Sequence, residues 1–422
     1  MMQIFGHGIR SILINGAYLM GSSWIEFGLG VVYVVALARY LGPEHYGIWA
    51  YGGATYVLGI GLISFGFDSL IPIRLGAEKR GAGDFVGLTL TLRIALLGLA
   101  AGGLALYAFL GETDKTSRLI LLILVPALVG RGMAMWARIC FIAYERAGAY
   151  VKIGAAMRAA EVGLGLLILV AGGGLFGIAF LHAACWVVQG AIGLRIVRSR
   201  LVPYAPRFDG REAAALLKQG SVLGFSAALI NCLIAGPLGL FRHFGNDLAL
   251  VGQLAIPLQA MMIVFGSALV YLMAALPVLS RSAQRGDPRV ASYGKMTLLM
   301  GAAIGIPAGL VGLFLGPTVV NWVLGPDFAL AGTLLGPCLF ICALMLAPTG
   351  YGQLLMVRGH RWHGVFANGA GGVALLIGLP AATASWGVEG AVLAIAIAWL
   401  LRAVVMVALG VLISGRFRQT SI

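Results

Sequence analysis

An all-α integral membrane fold is predicted, with about twelve transmembrane helices in two pseudo-symmetric six-helix halves around a central cavity. Three observations carry it. The 422 residues are 60% hydrophobic and only 10% charged. Their mean hydropathy is +0.97. Apolar runs recur at the roughly 20 residues that a hydrocarbon core of about 30 Å demands. A chain of this length with so little polar surface cannot form a soluble globule.

In order, the runs lie near Ser11–Ala38, Tyr46–Ile73, Val86–Leu110, Arg118–Ala143, Tyr150–Val170, Leu175–Val197, Gln219–Phe241, Leu248–Leu279, Tyr293–Leu315, Phe328–Val357, His363–Ala384 and Val388–Ile413. The first covers 28 residues, too long for a signal h-region and without a small-residue cleavage site, so it is expected to stay as a membrane span. Gly42-Pro43 breaks that first helix, Pro43 suits the start of the next turn or helix, and Glu44 complements the N-terminal dipole of the second span. Leu41–Gly47 is therefore read as packing punctuation rather than a substrate contact, and Tyr40, Tyr46 and Trp49 as an interfacial aromatic belt.

The longest polar connection, Arg198–Lys218, holds two prolines and a charge-rich stretch between the sixth and seventh spans. It divides the chain into an N-terminal half (1–197), a cytoplasmic connection (198–218) and a C-terminal half (219–422), as expected of a transporter built from two related halves. A weak repeat agrees. Pairing Arg146 with Gly359 and Gly177 with Gly390 uses one offset of 213 residues, close to half the chain.

Lysines and arginines set the orientation, because short cytoplasmic loops retain positive charge. With the N-terminus inside, 20 of the 29 lie in inner segments, while only Arg39, Lys115, Arg118 and Arg242 lie in outer loops. Both termini are expected to be cytoplasmic, and the Leu41–Tyr46 and Gly316–Asp327 loops external. The net charge of +14 follows mostly from this topology and requires no nucleic acid; it also favours contact with anionic lipid headgroups. All five cysteines, Cys140, Cys185, Cys232, Cys338 and Cys342, lie within spans, where they pack as small apolar residues. No disulfide framework or metal site is indicated, and His360 and His363 read as part of an interfacial basic loop rather than as ligands.

Four arginines inside spans of the first half carry the functional expectation: Arg93, Arg131, Arg138 and Arg158. A charge near the bilayer centre costs roughly 2.5–3.5 kcal/mol on insertion scales unless it faces a partner or a wet cavity. Arg131 and Arg138 are seven residues apart, which places them on one helix face about 10 Å apart. Arg158 and Glu161 are at i and i+3, close enough to pair. Glu26 and Asp68 complete a set that could line one water-filled cavity. Each has a plain alternative: Arg93, Arg138 and Asp68 lie near enough to the cytoplasmic ends to snorkel or pair structurally, whereas Arg131 and Arg158 are deeper. In the second half Gly371 occupies the place of Arg158, and Arg402 is the only buried arginine, so the anion site is lopsided toward the first half.

Ala38-Arg39-Tyr40-Leu41-Gly42-Pro43-Glu44-His45-Tyr46-Gly47 resembles the signature loop of the bacterial polysaccharide-transporter family. These are O-antigen-flippase-like carriers of lipid-linked oligosaccharides in the multidrug/oligosaccharidyl-lipid/polysaccharide exporter superfamily. Leu324-Gly325-Pro326-Asp327-Phe328 is similar to that family's outer loop. Leu355-Met356-Val357-Arg358-Gly359, followed by Asn368 and Trp386-Gly387-Val388-Glu389-Gly390-Ala391, resembles its C-terminal region.

The resemblance implies a flippase of a bacterial inner membrane, with polyprenyl-pyrophosphate-linked oligosaccharide as cargo and with membrane lipids, a polysaccharide polymerase and chain-length machinery as partners. Arginine suits the pyrophosphate, which it can grip in a two-pronged fashion while keeping its charge. Arg131 and Arg158 are expected to hold it, Arg93 and Arg138 to guide it in, and alternating access to move it, with no covalent chemistry and no cofactor. Glu161 either forms a purely structural ion pair with Arg158 or couples transport to a proton gradient, in which case pyrophosphate competes for Arg158 and leaves the carboxylate open to a proton. Asp68 and Glu26 are the alternative carriers, and Na⁺ the alternative ion. A multidrug or cation antiporter of the same superfamily calls for an acidic or aromatic cavity, against the mainly basic charge here. A polymerase or glycosyltransferase calls for a large external loop with catalytic acids or a metal, and no outer loop exceeds about fifteen residues. A non-transporting scaffold for assembly enzymes leaves the buried arginines unexplained.

Overall fold

The computed structural model describes the backbone of residues 2–77, 81–244, 247–284 and 292–419, and side chains there except at 2–27, 69, 73, 76, 77, 274–278, 280–284 and 414–419. Among the described residues every regular element is helical: α1 (Met2–Ser64), α2 (Phe67–Ala77), α3 (Ala82–Leu110), α4 (Lys115–Ala143), α5 (Ala147–Val170), α6 (Gly174–Ile196), α7 (Gly210–His243), α8 (Leu248–Gln284), α9 (Tyr293–Leu324), α10 (Ala329–Leu346), α11 (Thr349–Val357) and α12 (His363–Gln419). Ten of the described helices are long and apolar enough to cross a membrane. α1 leaves helical geometry at Gly42, and α12 does so at Trp386 and Gly387. Each break falls where two consecutive expected spans meet.

The chain forms two compact units. One comprises 1–41 and 55–227, the other 42–54 and 228–422. The segment around the signature loop therefore belongs with the second unit, and its residues explain why. Gly42 (φ 71°, ψ 172°) and Gly325 (φ 96°, ψ 173°) adopt almost the same backbone conformation, each between a leucine and a proline. That positive φ is open to glycine at little cost. After the turn, Tyr46 is fully buried with its ring edge-on to Phe328, centroids 6.1 Å apart. A Cβ on Gly47 would overlap the Leu248 carbonyl, and one on Gly252 the Pro43 carbonyl, so the start of α1's second leg lies directly on the start of α8. Gln253 then donates to the Asp327 carbonyl and accepts from the Ala331 amide at 2.8 Å. These contacts support the packing role expected of Leu41–Gly47.

In the first unit, the core below α3 and α4 is built on Phe67, Leu88, Trp136 and Phe141. Trp136 donates to Thr89 Oγ1 at 3.3 Å, and Tyr150 to the Ala134 carbonyl at 2.7 Å. The expected connection 198–218 is shorter than its composition implied, because α6 continues through a π turn to Leu201 and α7 starts at Gly210. The residues between them dock on the unit. Tyr204 lies edge-on to Trp136 at 5.5 Å and donates to the Leu194 carbonyl, while Arg207 pairs with Asp84 at 3.4 Å. Asp209 caps α7 by accepting from the Arg211 and Glu212 amides at 2.9 and 3.0 Å, and the Glu212 amide holds its carboxyl below the usual carboxylate range.

Candidate functional site

Three of the sequence-selected residues meet inside the first unit, and two others join them. Arg131 of α4 donates to the hydroxyl of Tyr56 in α1. That hydroxyl lies 3.1 Å from His182 Nε2 of α6. His182 Nδ1 is 2.6 Å from Glu161 Oε1 of α5, and Arg158 Nη1 donates to Glu161 Oε2 at 2.8 Å. Five side chains from four helices thus form one hydrogen-bonded chain with a guanidinium at each end.

With its proton on Nδ1, the His182 ring can donate to the carboxylate and accept at Nε2 from Tyr56, whose oxygen accepts from Arg131. Glu161 and His182 are buried, and the Arg158 side chain is 27% exposed, so the carboxylate is enclosed while its cationic partner reaches solvent or ligand. Aromatic faces brace both guanidiniums: Arg131 lies 5.0 Å from the Trp186 ring, and Arg158 5.4 Å from that of Tyr33. Close approach of α4 and α6 makes this geometry accessible. A Cβ on Gly130 would come within 2.5 Å of the Trp186 backbone, and one on Gly190 within 2.6 Å of the Gly130 carbonyl.

The remaining described candidates lie apart from this chain. Arg138 is on the same side of α4 but exposed. Arg93 is 1% exposed; it donates to the Ile63 carbonyl at 2.7 Å and to Asp68 at 3.2 Å, while Ser64 donates to Asp68 at 2.8 Å. The reason is the break between α1 and α2, where Phe65 (φ 37°) and Gly66 (φ 78°) interrupt the helix and leave carbonyls such as that of Ile63 in need of a donor. Arg93 and Asp68 thus hold a bend together, the structural pairing that was the plain alternative to a place in the cavity. Glu26 lies outside the described side chains.

In the second unit, Arg402 Nε donates to Asn368 Oδ1 at 2.9 Å, and its guanidinium lies 5.1 Å from the Trp399 ring. A Cβ on Gly371 would sit 2.8 Å from the Ala398 carbonyl. That position therefore serves contact between the two legs of α12 and has no room for an arginine. His363 Nδ1 contacts the His360 carbonyl within their turn.

Tyr56, His182, Tyr33 and Trp186 were not selected from the sequence. Only His182 carried a usable signal, being the one histidine of six that falls away from the ends of an expected span. Glu161 and His182 are 21 positions apart, Tyr56 and His182 126, and no helical periodicity relates residues so distant.

A sequence profile of the family described as polysaccharide biosynthesis protein matches residues 12–283. No curated protein sequence matches the chain. Among solved structures, the fold is similar to that of the lipid II flippase MurJ in an inward closed conformation (TM-score 0.73, 12% identity, 92% of this chain and 86% of that one). It is also similar to the eukaryotic MATE transporter AtDTX14 (TM-score 0.67, 15% identity, 96% of each chain). A third likeness is to a MOP superfamily transporter from Pyrococcus furiosus, described as having a binding pocket of reversed polarity (TM-score 0.62, 13% identity, 96% of this chain and 95% of that one).

Proposed function

This chain belongs to the polysaccharide biosynthesis protein family, and on that premise we propose that it is a flippase carrying a polyprenyl-pyrophosphate-linked oligosaccharide from the cytoplasmic to the outer leaflet of a bacterial inner membrane. The observation that carries this reading is the Arg131–Tyr56–His182–Glu161–Arg158 chain. Two guanidiniums and one carboxylate leave net positive charge among apolar helices, an arrangement that recruits an anion and repels a cationic drug. The fold shared with a lipid II flippase is in keeping with a lipid-linked cargo.

In the proposed cycle the pyrophosphate binds Arg131 and Arg158, with Arg138 guiding it from the cytoplasmic side, and the two halves alternate access to it. Arg158 exchanges Glu161 for phosphate oxygens. Glu161, still in contact with His182, then takes up a proton that it returns when cargo leaves outside. Na⁺ at the same carboxylate is the alternative ion. Both termini and the connection before α7 are cytoplasmic in this proposal, and a polymerase with its chain-length partner receives the product.

The test is translocation of lipid-linked oligosaccharide by Arg131→Ala and Arg158→Ala, each measured per molecule of membrane-inserted protein. Both are expected to lose transport at near-normal abundance, while Arg402→Ala is milder. Wild-type transport by either of the first two removes the anion site from Arg131 and Arg158.

A further inference from the structure

Five basic side chains around the cytoplasm-assigned end of α6 have no part in the network above. The π turn Val197–Leu201 extends α6, closed by the Val202 amide donating to the Val197 carbonyl at 3.0 Å. Arg195 and Arg198 line a cavity of about 540 Å³ with Tyr204, whereas Arg200 lines a second of about 380 Å³ together with Arg146 and Lys152 from the start of α5. Arg146 donates to the Arg200 carbonyl at 3.3 Å, which fastens the start of α5 to the end of the π turn.

The second cavity has two kinds of wall. Arg146, Lys152 and Arg200 make one basic, and Phe141, Ile153 and Leu201 make the other apolar; its lining holds no acidic residue. Three like charges around one space repel one another unless an anion sits between them. The backbone adds to the field, because Ala149 in the first turn of α5 also lines the cavity and Arg146 caps that helix without a side-chain hydrogen bond.

A cavity that is basic on one side and apolar on the other, at the ends of two membrane-spanning helices, has the chemistry of an amphiphile with a phosphate head. We infer that it is a binding site for an anionic phospholipid, with Arg146, Lys152 and Arg200 on the phosphodiester and the first acyl carbons against Phe141, Ile153 and Leu201. Its volume is about a dozen waters' worth, which suits a phosphoglycerol head and not an oligosaccharide repeat. The lipid would tie α5 to α6, the two helices that bring Glu161 and His182 together.

The experiment is native mass spectrometry of the purified full-length chain in detergent, titrated with phosphatidylglycerol, phosphatidylcholine or farnesyl pyrophosphate. Phosphatidylglycerol should be retained in preference to phosphatidylcholine. Each basic group near the lipid contributes about a fivefold preference, so Lys152→Gln/Arg200→Gln should lower it about 25-fold and Lys152→Gln alone about fivefold. The charge-matched Arg358→Gln/Arg361→Gln should leave it unchanged, as should Arg131→Ala, which separates this site from the proposed transport network. Unchanged melting in phosphatidylcholine establishes that the variants are folded; if the double variant is not, the single one carries the test. Equal retention by Lys152→Gln and the unaltered protein overturns the inference. So does equal loss in the charge-matched control, or farnesyl pyrophosphate binding here in place of phosphatidylglycerol.

Discussion

Replacing Glu161 with glutamine should tighten pyrophosphate binding. Arg158 donates to Glu161 at 2.8 Å, with their side chains 27% and 4% exposed, and cargo must displace that contact. A hydrogen bond to a charged group contributes about 1.5–3 kcal/mol in proteins generally. Polar contacts inside membranes average about 0.6 kcal/mol. A pair with one partly exposed member falls between, at about 1–2 kcal/mol. Glutamine keeps a carbonyl acceptor but loses the charge, so about 1 kcal/mol of competition disappears, which is about fivefold in affinity. Calorimetric titration of the detergent-purified protein with farnesyl pyrophosphate, on the alkaline side of neutrality, reads this directly. Proton uptake on binding also means that affinity in the unaltered protein falls as pH rises, and Glu161→Gln should flatten that dependence. Equal or weaker binding by Glu161→Gln would refute the idea that cargo and carboxylate compete for Arg158.

Cysteine labelling of intact cells, with the native cysteines replaced, should modify a cysteine at Glu44 and not one at Ser199; the reverse pattern inverts the proposed topology. Arg93→Ala leaves the Ile63 carbonyl without its donor, costing about 1–3 kcal/mol. Membrane abundance should fall while each remaining molecule still transports, and normal abundance without transport would return Arg93 to the cargo path. Gly252→Ala drives a methyl into the Pro43 carbonyl, an overpacking worth about 1–3 kcal/mol, and should lower the melting temperature. Gly53→Ala, where a Cβ meets nothing within 4 Å, should not; an unchanged melting temperature for Gly252→Ala would mean the α1–α8 contact yields freely. For Asp209, whose depressed carboxyl holds the first turn of α7, the capping contribution is complete above the unfolded carboxylate range and disappears as pH falls through the folded value. Protection of the Arg211 and Glu212 amides, measured as their exchange relative to the intrinsic rate at each pH, should therefore fall in acid, and unchanged protection would show the cap to be idle.

The membrane class, the spans and the Gly42-Pro43 break were legible because hydropathy and backbone preference are properties of neighbouring residues. So was the Arg158–Glu161 pair, one helical turn apart. The sequence also located Arg93 correctly inside a span, but it could not reveal that Phe65 and Gly66 would interrupt α1, which is what makes Arg93 a donor to a freed carbonyl. Nor could it explain Gly371, whose missing side chain is required by a carbonyl on the returning leg of α12. His182 and Tyr56 show the same division. Each is an ordinary residue in its own helix; Gly130 and Gly190 let α4 and α6 approach closely, and Tyr56 of α1 bridges Arg131 and His182 on those two helices. Chain-local physics determined where the helices and charges lie, while contact between distant segments decided which charges meet, since burial without a partner is too costly for any of them to remain alone.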